Sequence, residues 1–135
     1  MPTHLRVARP VSDLARTRDM YCRGLGLRVV GSFKEHHGFD GVMLGVPGAS
    51  YHFEFTHSRN RLVSPTPTIE DLVVFYILHP VGSGMASNVH EHAGCRVQAR
   101  AGVQSVLGAK GRTYEDFDGY RVVLQRAEWR NAAAP

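Results

Sequence analysis

One order of elements, a strand, a helix and three further strands, can be read twice along this chain. The repeat restricts the fold more than any single propensity does, because independent errors rarely give the same order twice. In the first half, residues 5–11 read as a short strand, with Pro10 confining it to a strand end or an edge. Ser12 or Asp13 caps a helix running to about Arg23, and Gly24 is placed for the left-handed turn that closes it. Leu14, Thr17, Tyr21 and Leu25 share its inner face at helical spacing. Strands follow at 27–33, 41–46 and 51–57, parted by turns containing Gly, Asp and Pro. The second half offers an apolar strand at 71–78, a helix at 83–93 stopped by Gly94, and strands at 96–100, 112–115 and 120–126. Modules at 1–60 and 69–128 therefore join through a proline-bearing linker at 61–68, with a flexible tail at 129–135, as one domain overall.

Length and composition agree with that frame. A chain of 135 residues with 43% hydrophobic content suits a soluble globular domain. It holds no apolar run of the roughly 18 residues that a membrane helix needs, and no signal-like hydrophobic region at its start. A cytoplasmic location and no membrane partner are expected. Cys22 and Cys95 lack a Cys-x-x-Cys spacing, which argues against a disulfide framework or a thiolate zinc site. The net charge is +4, spread along the chain rather than clustered with stacking aromatics, so nucleic acid is not expected as a partner. A positive field favours anionic small molecules.

The stretch Tyr51-His52-Phe53-Glu54-Phe55-Thr56-His57 carries the chemistry. Strict alternation puts rings on one face and His52, Glu54 and Thr56 on the other. An imidazole and a carboxylate two residues apart can bind a metal, hold a proton or recognise a ligand. The plainer alternative is a solvated strand face. Alternation likewise puts Leu72, Val74 and Tyr76 on one face of their strand, and Arg121, Val123 and Gln125 on one face of theirs. Other histidines are poorly spaced for a metal. His90-Glu91-His92 lies on an expected helix, where residues two apart diverge, and His36-His37 sits in an expected loop.

The paired modules, opening with a strand, Val11-Ser12-Asp13-Leu14, a helix ending near Tyr21 and Gly24-Leu25-Gly26-Leu27, resemble the glyoxalase, bleomycin-resistance and extradiol-dioxygenase superfamily, the vicinal oxygen chelate proteins. Glu115-Asp116-Phe117-Asp118-Gly119-Tyr120 looks like that group's Asp-Pro-Asp-Gly turn, with Phe117 in place of proline. The resemblance implies an α+β fold of two βαβββ modules forming a cupped mixed sheet, with helices on the outer face. Arg9 departs from the pattern, standing where the group has an aliphatic core residue.

Metal-dependent members of that superfamily place four ligands in the cup. The corresponding positions here are Arg6, Glu54, Leu72 and Val123, of which Glu54 alone is a usual ligand. The resemblance thus implies no cofactor and no metal at the usual site, although a divalent metal on displaced ligands stays open. It further implies a homodimer binding a small-molecule ligand or substrate, with Arg6, Tyr76, Arg121, Gln125, Leu72 and Val123 as ligand-binding residues. Glu54 and His52 would be the catalytic pair in an isomerase- or lyase-type step. The alternatives are a drug-sequestering resistance protein without catalysis, and a metal-dependent glyoxalase or dioxygenase with displaced ligands. An arginine and a carboxylate converging in the cup also suit an internal salt bridge.

Overall fold

The helix α1 (Leu14–Leu25) starts where Asp13, in extended conformation, accepts the backbone N–H of Arg16 on its side chain at 2.9 Å. It runs through Gly24 and ends at Gly26, whose φ of 68° makes the left-handed turn two residues later than expected. Either glycine can adopt that conformation. The later one lets Leu27 follow directly into the core, where it is buried. Thr17 and Tyr21 are buried on the helix's inner face, with Leu14 and Leu25 half-buried beside them.

The structure, a computed structural model, describes residues 1–77 and 111–133. The chain divides into two compact units, Met1–Thr66 and Pro67–Pro135. The first unit holds β1 (Leu5–Pro10), α1, β2 (Arg28–His36), β3 (Phe39–Gly45) and β4 (Tyr51–Ser58). Its sheet runs β1-β4-β3-β2, with β1 parallel to β4 and the remaining pairs antiparallel. Tyr21 packs on Phe55 and Phe53, ring centroids 4.7 and 6.2 Å away, so α1 covers the aromatic face of β4. Arg9 lies opposite Phe55 in the parallel register and is buried on that same side, its long stem replacing the aliphatic residue expected there.

The segment between the strands expected at 27–33 and 41–46 is the tip of a β2–β3 hairpin, with β2 running on to His36 and β3 starting at Phe39. His37 (φ 50°) and Gly38 (φ 80°) make the turn, a left-handed pair suited to two-residue hairpins. Arg59 fastens this tip. Its Nε donates to both Asp40 oxygens, at 3.0 and 2.9 Å, and its Nη1 pairs with Glu35. Those hydrogen bonds, with the Glu35 N–H, hold the Asp40 carboxyl below the usual carboxylate range. A lowered folded-state pKa gives stabilisation that is present above the unfolded value and is lost as pH falls through the folded one. In Arg59→Ala the Asp40 carboxyl should titrate nearer the ordinary value, measured by carboxyl-carbon NMR; an unmoved titration would assign the shift to the Glu35 N–H.

The second unit contains β5 (Leu72–Tyr76), β6 (Gly111–Glu115) and β7 (Arg121–Gln125) in the order β5-β7-β6, with β5 parallel and β6 antiparallel to β7. Asp116 builds the turn into β7, its Oδ1 accepting the N–H groups of Asp118 and Tyr120 while Gly119 takes a φ of 88°. The helix expected at 83–93 and the strand expected at 96–100 lie outside the described residues. Among the described residues, no helix is long and apolar enough to cross a membrane.

Candidate functional site

Because β4 sits between β1 and β3, its polar face is flanked on both sides. Parallel register puts Arg6 opposite His52 and Ala8 opposite Glu54. The side chains nevertheless meet on the diagonal. Arg6 Nη1 donates to Glu54 Oε2 at 3.2 Å, and His4 Nε2 lies 2.7 Å from His52 Nδ1. Both pairs span 48 residues, so they form two rungs of one ladder on β4, one to Arg6 of β1 and one to His4, the residue just before β1.

The rungs differ in chemistry. The Arg6 side chain is 59% exposed and that of Glu54 12%, so the carboxylate is sunk in the face while the guanidinium caps it. One of five guanidinium N–H groups is used on Glu54, which leaves a planar donor fork toward solvent. In the other rung, two imidazole nitrogens at 2.7 Å require one proton between them, one ring donating and the other accepting. If His52 Nδ1–H donates to His4, His52 Nε2 is left as a lone-pair acceptor.

His4 was missed by sequence reasoning. Its signal was parity: it stands two residues before Arg6, as His52 stands two before Glu54. Toward β3, Glu54 faces Met43, His52 faces Gly45 and Thr56 faces Gly41.

In the second unit the register pairs Leu72 with Arg121, Val74 with Val123 and Tyr76 with Gln125, so these six share a face. Their circumstances vary. Arg121 is buried, its Nε donating to Glu115 Oε2 at 3.2 Å and its Nη1 to the Ile69 carbonyl at 2.9 Å. Gln125 is buried across Gly111, and Val123 is buried as well. Tyr76 is exposed, its ring 5.7 Å from that of Trp129.

The fold family raises the question of a divalent metal, and the donors at the four corresponding positions do not fit one. A guanidinium stays protonated and offers no lone pair, and the side chains of Leu72 and Val123 offer no donor atom. Arg6 sets a positive charge 3.2 Å from the one carboxylate of the set. Among the described residues, no three His, Cys, Asp or Glu side chains cluster as a metal would need. His36 and His37 contact each other at the hairpin tip, 4.4 Å between centroids, and His90-Glu91-His92 lies outside the described residues. The Cys22 thiol is pushed up by burial, which opposes a nucleophilic thiolate.

This α+β arrangement is that of the vicinal oxygen chelate proteins. The structure superposes on the trypanothione-dependent glyoxalase I of Leishmania major with a TM-score of 0.66 at 15% identity, covering 90% of this chain and 84% of that one. It superposes on TnmS3, an antibiotic binding protein from Streptomyces sp. CB03234, with a TM-score of 0.64 at 16% identity, covering 95% and 98%. At such identities the likeness concerns the fold alone. A much nearer relative is the uncharacterized protein YycE of Bacillus subtilis, 35% identical over 124 residues, which are 92% of this chain and 88% of that protein. A YycE protein of unknown function from Bacillus subtilis, provisionally described as a glyoxalase/fosfomycin resistance protein, has a crystal structure that matches with a TM-score of 0.83 at 33% identity, covering 98% and 95%. Residues 5–56 match the YycE-like N-terminal domain, and the chain belongs to the YycE family.

Proposed function

We propose that this chain binds a small anionic organic molecule on the β1–β4 face, without a divalent metal at the superfamily's usual positions, and moves a proton on it in an isomerase- or lyase-type step. The observation that carries the reading is the Arg6–Glu54 pair, in which a sunken carboxylate orients an exposed guanidinium. Such a fork receives a carboxylate or phosphonate in bidentate fashion and stabilises an enolate as charge develops. His52, backed by His4, supplies the proton acceptor, and Glu54 both aligns Arg6 and offers its second oxygen.

With a substrate found by screening, Glu54→Gln and His52→Ala should each abolish turnover while the fold persists by circular dichroism. Full activity in both would sink the assignment. Ligand recovered chemically unchanged after saturable binding would instead favour a sequestering protein. Metal content is checked by elemental analysis of protein purified without chelators. Stoichiometric Ni, Zn, Fe or Mn that disappears in Glu54→Ala would replace this reading with a metal-dependent one.

A further inference from the structure

Beyond the polar ladder, the same face changes character toward β3 and β2. Register places Gly45, Met43 and Gly41 of β3 beside His52, Glu54 and Thr56, and then Gly31 and Phe33 of β2 beside Met43 and Gly41. Small residues hollow this surface, and two apolar side chains lie down in the hollow. A methyl group on Gly31 would stand 2.7 Å from Met43 Sδ, and one on Gly41 would overlap the Phe33 ring. Met43 and Phe33 are half-buried, so each still shows surface to the outside. One face therefore carries a charged rung at one side and a thioether with an aromatic ring at the other.

We infer that Phe33 and Met43 form an apolar subsite for the anionic ligand, whose class is then a carboxylate or phosphonate bearing an aryl or alkyl group on a short spacer. The inference rests on Arg6 being the anion anchor. Its geometry follows from the sheet. Arg6 reaches across to β4 at Glu54, while the Phe33 ring covers Gly41, one strand over and two residues along from Met43, the partner of Glu54. Strand spacing and rise put Glu54 and Gly41, the positions that the guanidinium and the ring reach, about 8 Å apart, a span that a spacer of three or four carbons fills. A flat ring over a cross-strand glycine also stabilises sheets without any ligand, and the test separates the two roles.

The experiment is an amide-resolved NMR titration of the full chain with butyrate and with 4-phenylbutyrate at one pH and ionic strength. Wild-type protein is expected to bind 4-phenylbutyrate at least about tenfold more tightly, as burial of an aryl group against apolar side chains requires. Phe33→Ala should remove that advantage and leave butyrate binding unchanged. Gly41→Ala, which drives the ring from its place, should do likewise. Arg6→Ala should weaken both probes. Equal wild-type affinities for the two probes, or an advantage kept in both Phe33→Ala and Gly41→Ala, would overturn the subsite while leaving Arg6 as the anchor. Binding unchanged in Arg6→Ala would overturn the anion-binding reading itself, and no saturable shift with either probe into the millimolar range would overturn both.

Discussion

Phe55→Ala should lose about 3–5 kcal/mol of folding free energy, the range for truncating a fully buried phenylalanine. Phe55 is 0% exposed, stacks on Phe53 with their planes 8° apart, and meets the Tyr21 ring of α1 at 4.7 Å. Little can collapse into the vacated space, because one wall is a β-strand backbone and the other a capped helix, so the cavity term adds to the lost transfer energy. The site would feel the change, since Phe55 follows Glu54 on the same strand and fixes which face the carboxylate occupies. Urea unfolding of Phe55→Ala beside Glu54→Gln measures the contrast. The second substitution removes a charge from one long hydrogen bond to an exposed partner and should cost under about 1 kcal/mol. A Phe55→Ala loss below that same figure would show that the helix is not seated on this strand.

That contrast also explains which parts of the molecule were legible from sequence. Phe53 and Phe55 against His52 and Glu54 is a period-two pattern, local enough to read directly, and the Asp13 cap before a run with 3.6-residue spacing is equally local. The helix stop expected at Gly24 falls at Gly26 instead, because both glycines tolerate left-handed backbone and burial of Leu27, a tertiary fact, favours the later one. His4 was invisible for a different reason. Its contact with His52 depends on β1 lying parallel to β4 in one register, and a slip of a single residue would turn His4 to the helix side. The resemblance to a known superfamily supplied that register through Arg6 and Glu54, yet it named ligand positions and not the rung beside them. Phe33 was likewise hidden, because the strand expected at 27–33 ends on it, whereas β2 continues to His36 and the ring lies over Gly41 of the next strand. Alternation grouped Arg121 with Leu72 and Val123 but carried no information on its partners, which come from Glu115 and from the Ile69 carbonyl.

Those partners make Arg121→Ala the second large effect, a loss of about 2–3 kcal/mol. Two consequences add. The Ile69 carbonyl loses a charge-assisted donor, and the Glu115 carboxylate is left without its cation in a half-buried place. Glu115 is 28% exposed, so water recovers part of the penalty and the figure falls below that for a fully buried pair. Arg121→Lys should restore little, because an ammonium cannot address a carboxylate and a carbonyl in the fixed fork that Nε and Nη1 provide. Denaturant unfolding of Arg121→Ala, Glu115→Gln and the double variant tests the coupling, and the double variant should be more stable than additivity predicts. Additive losses would deny the pair. Arg121→Ala set beside Arg6→Ala weighs the two arginines as the ligand's anchor. A guanidinium that is 6% exposed and already donating on two edges has little left to offer, whereas that of Arg6 donates once and is 59% exposed. Butyrate binding should therefore survive Arg121→Ala in whatever fraction stays folded and weaken in Arg6→Ala; the reverse result would move the anion site from the first sheet to the second.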